Sequence, residues 1–187
     1  GLVRLLVGYG TLDGTPPTPR LIFQGNPVVG GVRVEKRATD RVTLVDAQDG
    51  GRAYQSARVS LSIATPTTAL AVFREVATLA GYPTGQITAA TDVTYPHGGA
   101  WYGPARDVLA TLADTMGSRV WVSDGVLFLV PPDASLASPV PLFSAARGNL
   151  VGSPTPKDGG RIEVTGLLDA SVRPGRTISV ESEQYTG

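Results

Sequence analysis

The sequence predicts an α+β fold that is mainly β, in which antiparallel strand segments flank a small domain of two helices and a β-hairpin. Three observations carry this. Twenty-three Gly and fifteen Pro punctuate a 187-residue chain whose hydrophobic fraction, 42%, is ordinary for a globular protein, so many short strands and turns follow rather than disorder. Period-two alternation recurs before residue 64 and again after residue 160. Between them lie two stretches whose apolar residues return every three or four positions, the spacing of a helix with one buried stripe.

The elements follow in order. Leu2 to Val7 is a mostly apolar strand, and the loop Gly8 to Pro19 leads to a second short strand, Leu21-Ile22-Phe23. Gly30 and Gly31 open a third, Val32 to Arg37, with Val32 and Val34 on one face and charges on the other. Thr39-Asp40 turns the chain into Arg41–Asp46, with Val42 and Leu44 inward, so that this hairpin has one wet face. Arg58–Ile63 has the clearest alternation, placing Val59, Leu61 and Ile63 together. Thr65 as N-cap and Pro66 at the first helical position start a helix along Leu70, Phe73, Val76, Ala77 and Ala80, which Gly81 and Pro83 end. Residues 84–100 read as irregular, with a short strand at Asp92–Tyr95. Gly103 and Pro104 introduce a second helix on Val108, Leu109, Leu112, Ala113 and Met116, stopped by Gly117. Asp124-Gly125 between Arg119–Val122 and Val126–Val130 is a strong hairpin signal. Pro131 to Pro141 reads as a linker or extended edge, residues 150–156 as loop, and Asp158-Gly159-Gly160 as a turn. Strands then follow at Arg161–Thr165 and Thr177–Glu181 around an Arg173–Arg176 turn.

Composition removes several function classes. There is no cysteine, which excludes disulfide scaffolds and thiol chemistry. Sixteen Lys+Arg balance sixteen Asp+Glu, so an electrostatic grip on nucleic acid is not expected. Fourteen of the sixteen basic residues are Arg, with Lys only at Lys36 and Lys157; Arg suits carboxylate pairing at interfaces, and a GC-rich genome gives the same bias. No apolar run has the length of a membrane span. The first residues lack a signal peptide's pattern, and both ends look cut, as in a piece of a longer protein.

The residues that could carry chemistry each have a plainer role open to them. Gly8-Tyr9-Gly10 with Gly14 superficially matches a dinucleotide loop, but Pro16, Pro17 and Pro19 follow where a helix N-terminus should receive the phosphates, so a turn is expected. His97 is the sole histidine; zinc takes several Cys or His, and no Gly-x-Ser-x-Gly elbow supplies a nucleophile for a triad, which leaves His97 as an ordinary loop residue. Glu181 and Glu183 share a strand face about 7 Å apart, within the range for a carboxylate pair acting on a glycoside, although a solvated strand face explains them. Asp46 and Asp49 near Gly50-Gly51 resemble oxygen-ligand turns but lack the calcium-loop spacing. Trp101, Tyr102 and Trp121 would suit a sugar-stacking platform, but Trp121 lies inside a strand and Trp101 at a helix entry, where core packing is expected. No catalytic, cofactor-binding or metal-ligating residue is therefore assigned, and no cofactor is implied.

The order of segments carries more information than any of these clusters. The hairpin ending in Leu44-Val45-Asp46-Ala47-Gln48-Asp49-Gly50-Gly51, followed by Ala57–Ser62 before a helix, resembles the baseplate hub family of phage tails, Mu-like and related hubs with tail-tube-like barrels. So do Gly103-Pro104-Ala105-Arg106-Asp107-Val108-Leu109 leading to Val120–Leu127, and the later Leu150–Thr155, Arg161–Leu168 and Val172–Arg176. The resemblance spans most of residues 40–182 and includes no catalytic motif. It implies β-barrel-like segments: residues 1–53 as part of a first tube-like barrel, 54–147 as an inserted α+β domain, and 148–187 as strands of the following barrel. It also implies a non-enzymatic structural virion protein, a homotrimer joining the tail tube to the distal tip and spike proteins, with DNA only as passing cargo and no stable membrane insertion. Such a protein is assembled in the host cytoplasm and resides in the phage tail. Two competitors remain open, a carbohydrate or cell-wall binding module built on Trp101, Tyr102 and Trp121, and a tail-associated cell-wall hydrolase using Glu181 and Glu183.

Overall fold

The computed structural model describes residues 1–10, 16–50 and 56–182. These fall into two compact units, Gly1–Ala134 and Ser135–Gly187, divided within the Pro/Ser/Ala-rich stretch. The fold is α+β and mainly β, as expected, but its sheets are open sets of two or three strands, not closed barrels.

In the first unit, β1 (Val3–Val7), β2 (Arg20–Arg37) and β3 (Asp40–Gln48) form an antiparallel sheet in the order β1-β2-β3. The two strands expected at Leu21–Phe23 and Val32–Arg37 are one 18-residue strand. Gly30 and Gly31 do not interrupt it because they sit in a bulge, where residues 28–31 oppose Asp46 alone between the pairs Pro27↔Ala47 and Val32↔Val45. Only a glycine fits at Gly31, where an added Cβ would lie 2.7 Å from the Asp46 carbonyl oxygen. The hairpin turn falls at Ala38-Thr39, one residue earlier than expected, with Arg37 opposite Asp40.

After the sheet come β4 (Arg58–Ile63), β5 (Thr67–Thr68), α1 (Ala69–Leu79), β6 (Thr84–Ile87), β7 (Thr94–Tyr95), β8 (Gly99–Pro104), α2 (Ala105–Thr115), β9 (Arg119–Ser123) and β10 (Val126–Val130). β4 pairs with β8, β5 with β7, and β10 lies between β6 and β9. The first helix starts later than Thr65-Pro66 suggests. Thr67-Thr68 is drawn into a ladder with Thr94-Tyr95; Thr68 then caps the helix by accepting from the Ala71 N–H at 3.3 Å, and Asp92 accepts from the Leu70 N–H at 3.0 Å. Both helices end as the glycines predict. Tyr82 N–H donates to Ala77 O and Gly81 N–H to Thr78 O, and Ser118 and Gly117 repeat the pattern on Ala113 and Asp114, the Schellman arrangement. Gly81 has φ +75° with open space around its missing Cβ, so Gly81→Ala should cost only the left-handed strain, about 1–2 kcal/mol, read as a lower urea midpoint at unchanged slope.

The core lies in this α+β layer. Val59 from β4, Val72, Phe73 and Val76 from α1, Leu109, Leu112 and Ala113 from α2, Met116 at its cap, and Leu127 and Leu129 from β10 are all buried together. The predicted helical stripes and the inward face of β4 are thus the faces the core uses. β6 and β8 form in stretches whose sequence reads as irregular or as helix entry.

In the second unit, β11 (Leu142–Ser144) pairs with β14 (Ser179–Glu181), parallel rather than antiparallel, and β12 (Thr155–Lys157) forms a hairpin with β13 (Arg161–Glu163). The Asp158-Gly159-Gly160 turn is where expected, but the strands beside it are shorter, and β12 occupies part of the segment read as loop. Asn149 ties the unit together, accepting from the Ser144 N–H and donating to the Leu142 carbonyl, both at 2.8 Å. Its buried apolar side chains are few, chiefly Phe143 and Leu150.

Candidate functional site

The feature that distinguishes the described structure is the β1–β3 sheet, because its register sorts apolar and polar side chains onto opposite faces. Residues directly opposite in an antiparallel ladder point the same way, and alternate residues share a face. The pairs Val3↔Gly25, Leu5↔Phe23, Pro27↔Ala47 and Val32↔Val45 therefore lie on one face, together with Val34, while Arg4↔Gln24, Asn26↔Gln48, Arg33↔Leu44 and Glu35↔Val42 lie on the other. This corrects the expected hairpin: Val42 and Leu44 are half-buried on the face opposite Val32 and Val34, amid Arg33 and Glu35. Val3, Phe23, Pro27 and Ala47 on the apolar face are half-buried, and the rest of its large side chains are left open. Leu5 is 51% exposed, Val32 59%, Val34 64% and Val45 45%.

The polar face is organised by ion pairs. Arg33 contacts Asp46 through Nη1 and Glu35 through Nε at 3.4 Å, and Arg37 reaches the other oxygen of Glu35 at 3.5 Å. The hydrogen bond and charge of Asp46, then the bond to Glu35, raise the Arg33 pKa above the ordinary arginine value. All these groups are exposed, so the network orders side chains and adds little stability. At the other end of this face Arg4 Nε donates to Gln24 Oε1 at 2.8 Å.

Gly8 and Gly10 lie in the connection from β1 to β2, two antiparallel strands, so this is a hairpin loop and not the strand-to-helix turn of a dinucleotide site; Gly14 lies outside the described residues. His97 is exposed between β7 and β8. Glu181 ends β14 opposite Ser144, and Glu183 lies outside the described residues. Among the described residues no three His, Asp or Glu side chains come together as a metal site. Asp46 and Asp49 part company: Asp46 pairs with Arg33, whereas Asp49 accepts from the backbone N–H groups of Asp124 and Gly125 at 2.6 and 2.7 Å. Nothing in the pattern around Asp49 itself signals that long-range contact.

The three aromatic residues do not share a surface. Trp101 belongs to β8, not to a helix entry; it sits opposite Leu61 and meets Tyr95 edge-on at 5.4 Å. Trp121 stacks on its β10 partner Phe128 at 5.6 Å. Tyr102, 82% exposed, points away on the alternate face of β8 from Trp101. A cleft of about 380 Å³ does lie beside Trp121, lined by Asp49, Tyr82, Arg106, Leu109 and Val122, but the Asp49 carboxylate in it is already engaged by the 124–125 amides.

Among the described residues no helix is long and apolar enough to cross a membrane. No family model matches the chain, and no curated protein matches it. Among solved structures the chain is similar to the tail protein from Neisseria meningitidis MC58, at 16% sequence identity and a TM-score of 0.48, over 86% of this chain and 54% of that one. The chain therefore spans about half the length of that protein.

Proposed function

We propose that this chain is a non-enzymatic structural subunit of a phage or phage-like tail, a hub joining the tail tube to the distal tip as a symmetric homotrimer. The observation that carries the reading is the open sheet with one continuous apolar face and two edge strands, β1 and β3, that have no neighbour among the described residues. An isolated sheet of that kind is a liability in a free monomer, and it becomes an asset when neighbouring subunits cover the face and edges. The order of segments across residues 40–182, which resembles the hub family, points to the kind of assembly. The proposed partners are further copies of this chain, the tail tube and the tip proteins, and the proposed place is the virion after assembly in the host cytoplasm. A formal net charge of zero suits a passage that DNA crosses without being held; a ring of arginines lining the lumen would contradict this.

Light scattering on the full-length protein should give a trimer, and images of the intact assembly should show threefold placement at the tip. Sixfold stacking along the tube would overturn the hub assignment. Val34→Asp puts a charge in the middle of the apolar face without touching the α+β core. It should weaken association at least tenfold while the helical circular dichroism and thermal midpoint stay within error of the parent. Unchanged association would remove this face from the interface.

A further inference from the structure

The sheet meets the α+β layer at the β9–β10 turn, and the chemistry of that turn is specific. Asp124 and Gly125 form the two-residue loop of the β9–β10 hairpin with φ of +53° and +80°. In such a loop neither backbone N–H has a ladder partner, and the two point together into a small anion-binding concavity. Asp49, the residue after the end of β3, fills it: Oδ2 accepts from Asp124 and Oδ1 from Gly125. β2 reaches the same turn, since Gln24 Nε2 donates to the Asp124 carbonyl at 3.4 Å, and Arg4 of β1 holds the Gln24 amide oxygen. Gly50, at φ +59°, lies so close to Val122 that a Cβ would stand 2.7 Å from its Cγ1. β2, through Gln24, and the residues that follow β3, Asp49 and Gly50, thus meet at residues 122–125, with β1 joined to them only through Arg4 and Gln24, while no strand of the sheet packs extensively on α1 or α2.

We propose that Asp49 is a latch: its carboxylate, seated in the amide concavity of the 124–125 turn, sets the orientation of the β1–β3 sheet on an α+β core that folds without it. Core formation draws on Phe73, Leu112, Met116 and their neighbours, none of which belongs to the sheet or the turn. The latch is charge-assisted and bidentate, and hydrogen bonds of this kind are the strongest that neutral backbone amides make. The consequence for the proposed assembly, which rests on the preceding reading, is that the apolar face is presented in one direction before any partner arrives, so docking does not have to immobilise it.

The chain has no cysteine, so Thr43→Cys on β3 and Glu75→Cys on α1 take two unique spin labels, both at exposed positions. Pulsed electron–electron double resonance on doubly labelled chain diluted into excess unlabelled chain, so that only distances within one chain are read, should give one narrow distance distribution. Adding Asp49→Ala should at least double its width, with Asp49→Asn, which keeps one acceptor oxygen, in between. Exchange of the Asp124 and Gly125 amides should accelerate at least tenfold in Asp49→Ala, and amides within α1 and α2 should keep their protection. An unchanged distribution in Asp49→Ala overturns the latch. So does loss of helical circular dichroism in that variant, because Asp49 would then be required by the core itself. The distances are read on the chain alone, so a failure of the assembly reading leaves this result standing, and the reverse holds.

Discussion

Phe73→Ala should destabilise the α+β layer by about 3–5 kcal/mol, the range for emptying a fully buried phenylalanine site. Phe73 is 0% exposed and sits on the inner stripe of α1, within the cluster formed by Val72, Val76, Leu112, Met116, Leu127 and Leu129. Two costs add. The transferred phenyl surface no longer leaves water on folding, and the walls around it lose dispersion contacts because α1 is held at one end by its Thr68 and Asp92 caps and at the other by the Gly81 motif. A helix fixed at both ends cannot sink into the void, which puts the loss toward the upper part of the range. Domains of this size carry about 5–15 kcal/mol in total, so much of the margin would go. Urea unfolding followed by helical circular dichroism measures it. Leu79→Ala, on the same helix but 53% exposed, should stay within about 0.5 kcal/mol. Equal losses in the two variants would show that the buried stripe is not what holds the layer together.

The contrast between Phe73 and Leu79 was legible in the amino-acid order, since a 3.6-residue period says which side of a helix is inside. The same is true of Val59, Leu61 and Ile63 on β4, and of the Asp124-Gly125 hairpin. Strands held by long-range partners were not legible. β6 lies in the stretch read as irregular, and its Gly85 is needed there because Phe128 of the neighbouring β10 lies over it. β8 begins with Gly99 and ends on Gly103-Pro104, and it exists because β4 supplies the ladder along its whole length. Local propensity yielded to pairing in both cases.

The candidate surface was half legible for a related reason. Alternation places Val32 with Val34, and Val42 with Leu44, but only the register between the strands decides whether those two pairs share a side. A one-residue difference in pairing exchanges the faces. The bulge at residues 28–31 sets that register, and no feature of residues 20–48 announces how many residues the bulge absorbs. Asp49 was invisible for a different reason, since its partners lie 75 and 76 positions away. A signal existed in the partners instead, as a two-residue Asp-Gly turn leaves two amides seeking an acceptor.

Among the turn glycines of the described residues, Gly98→Ala is expected to be the most damaging change, costing about 3 kcal/mol or more. Gly98 has φ +70°, which alone charges an alanine about 1–2 kcal/mol. The larger part is steric. An added Cβ would collide with the carbonyl oxygen of Ile63, and lie 2.8 Å from its carbonyl carbon and 3.0 Å from the Thr65 oxygen. These are backbone atoms at the end of β4, so no side chain can rotate away; relief requires β4 and β8 to separate where Ile63 faces Gly99. That separation also disturbs Trp101, whose ring lies over Gly99 and meets Tyr95, and through Leu61 and Val59 it reaches the core. Gly81→Ala adds the same methyl at nearly the same φ into open space, so comparing the two variants subtracts the conformational strain and leaves the collision. Their urea midpoints should differ by the equivalent of at least about 1.5 kcal/mol, with Gly98→Ala lower and, in a Trp121→Phe background that leaves Trp101 as the one indole, its fluorescence shifted toward that of solvent-exposed indole. Coincident midpoints would mean that β4 gives way at no cost, and the β4–β8 ladder would then lose its place as the rigid edge of the core.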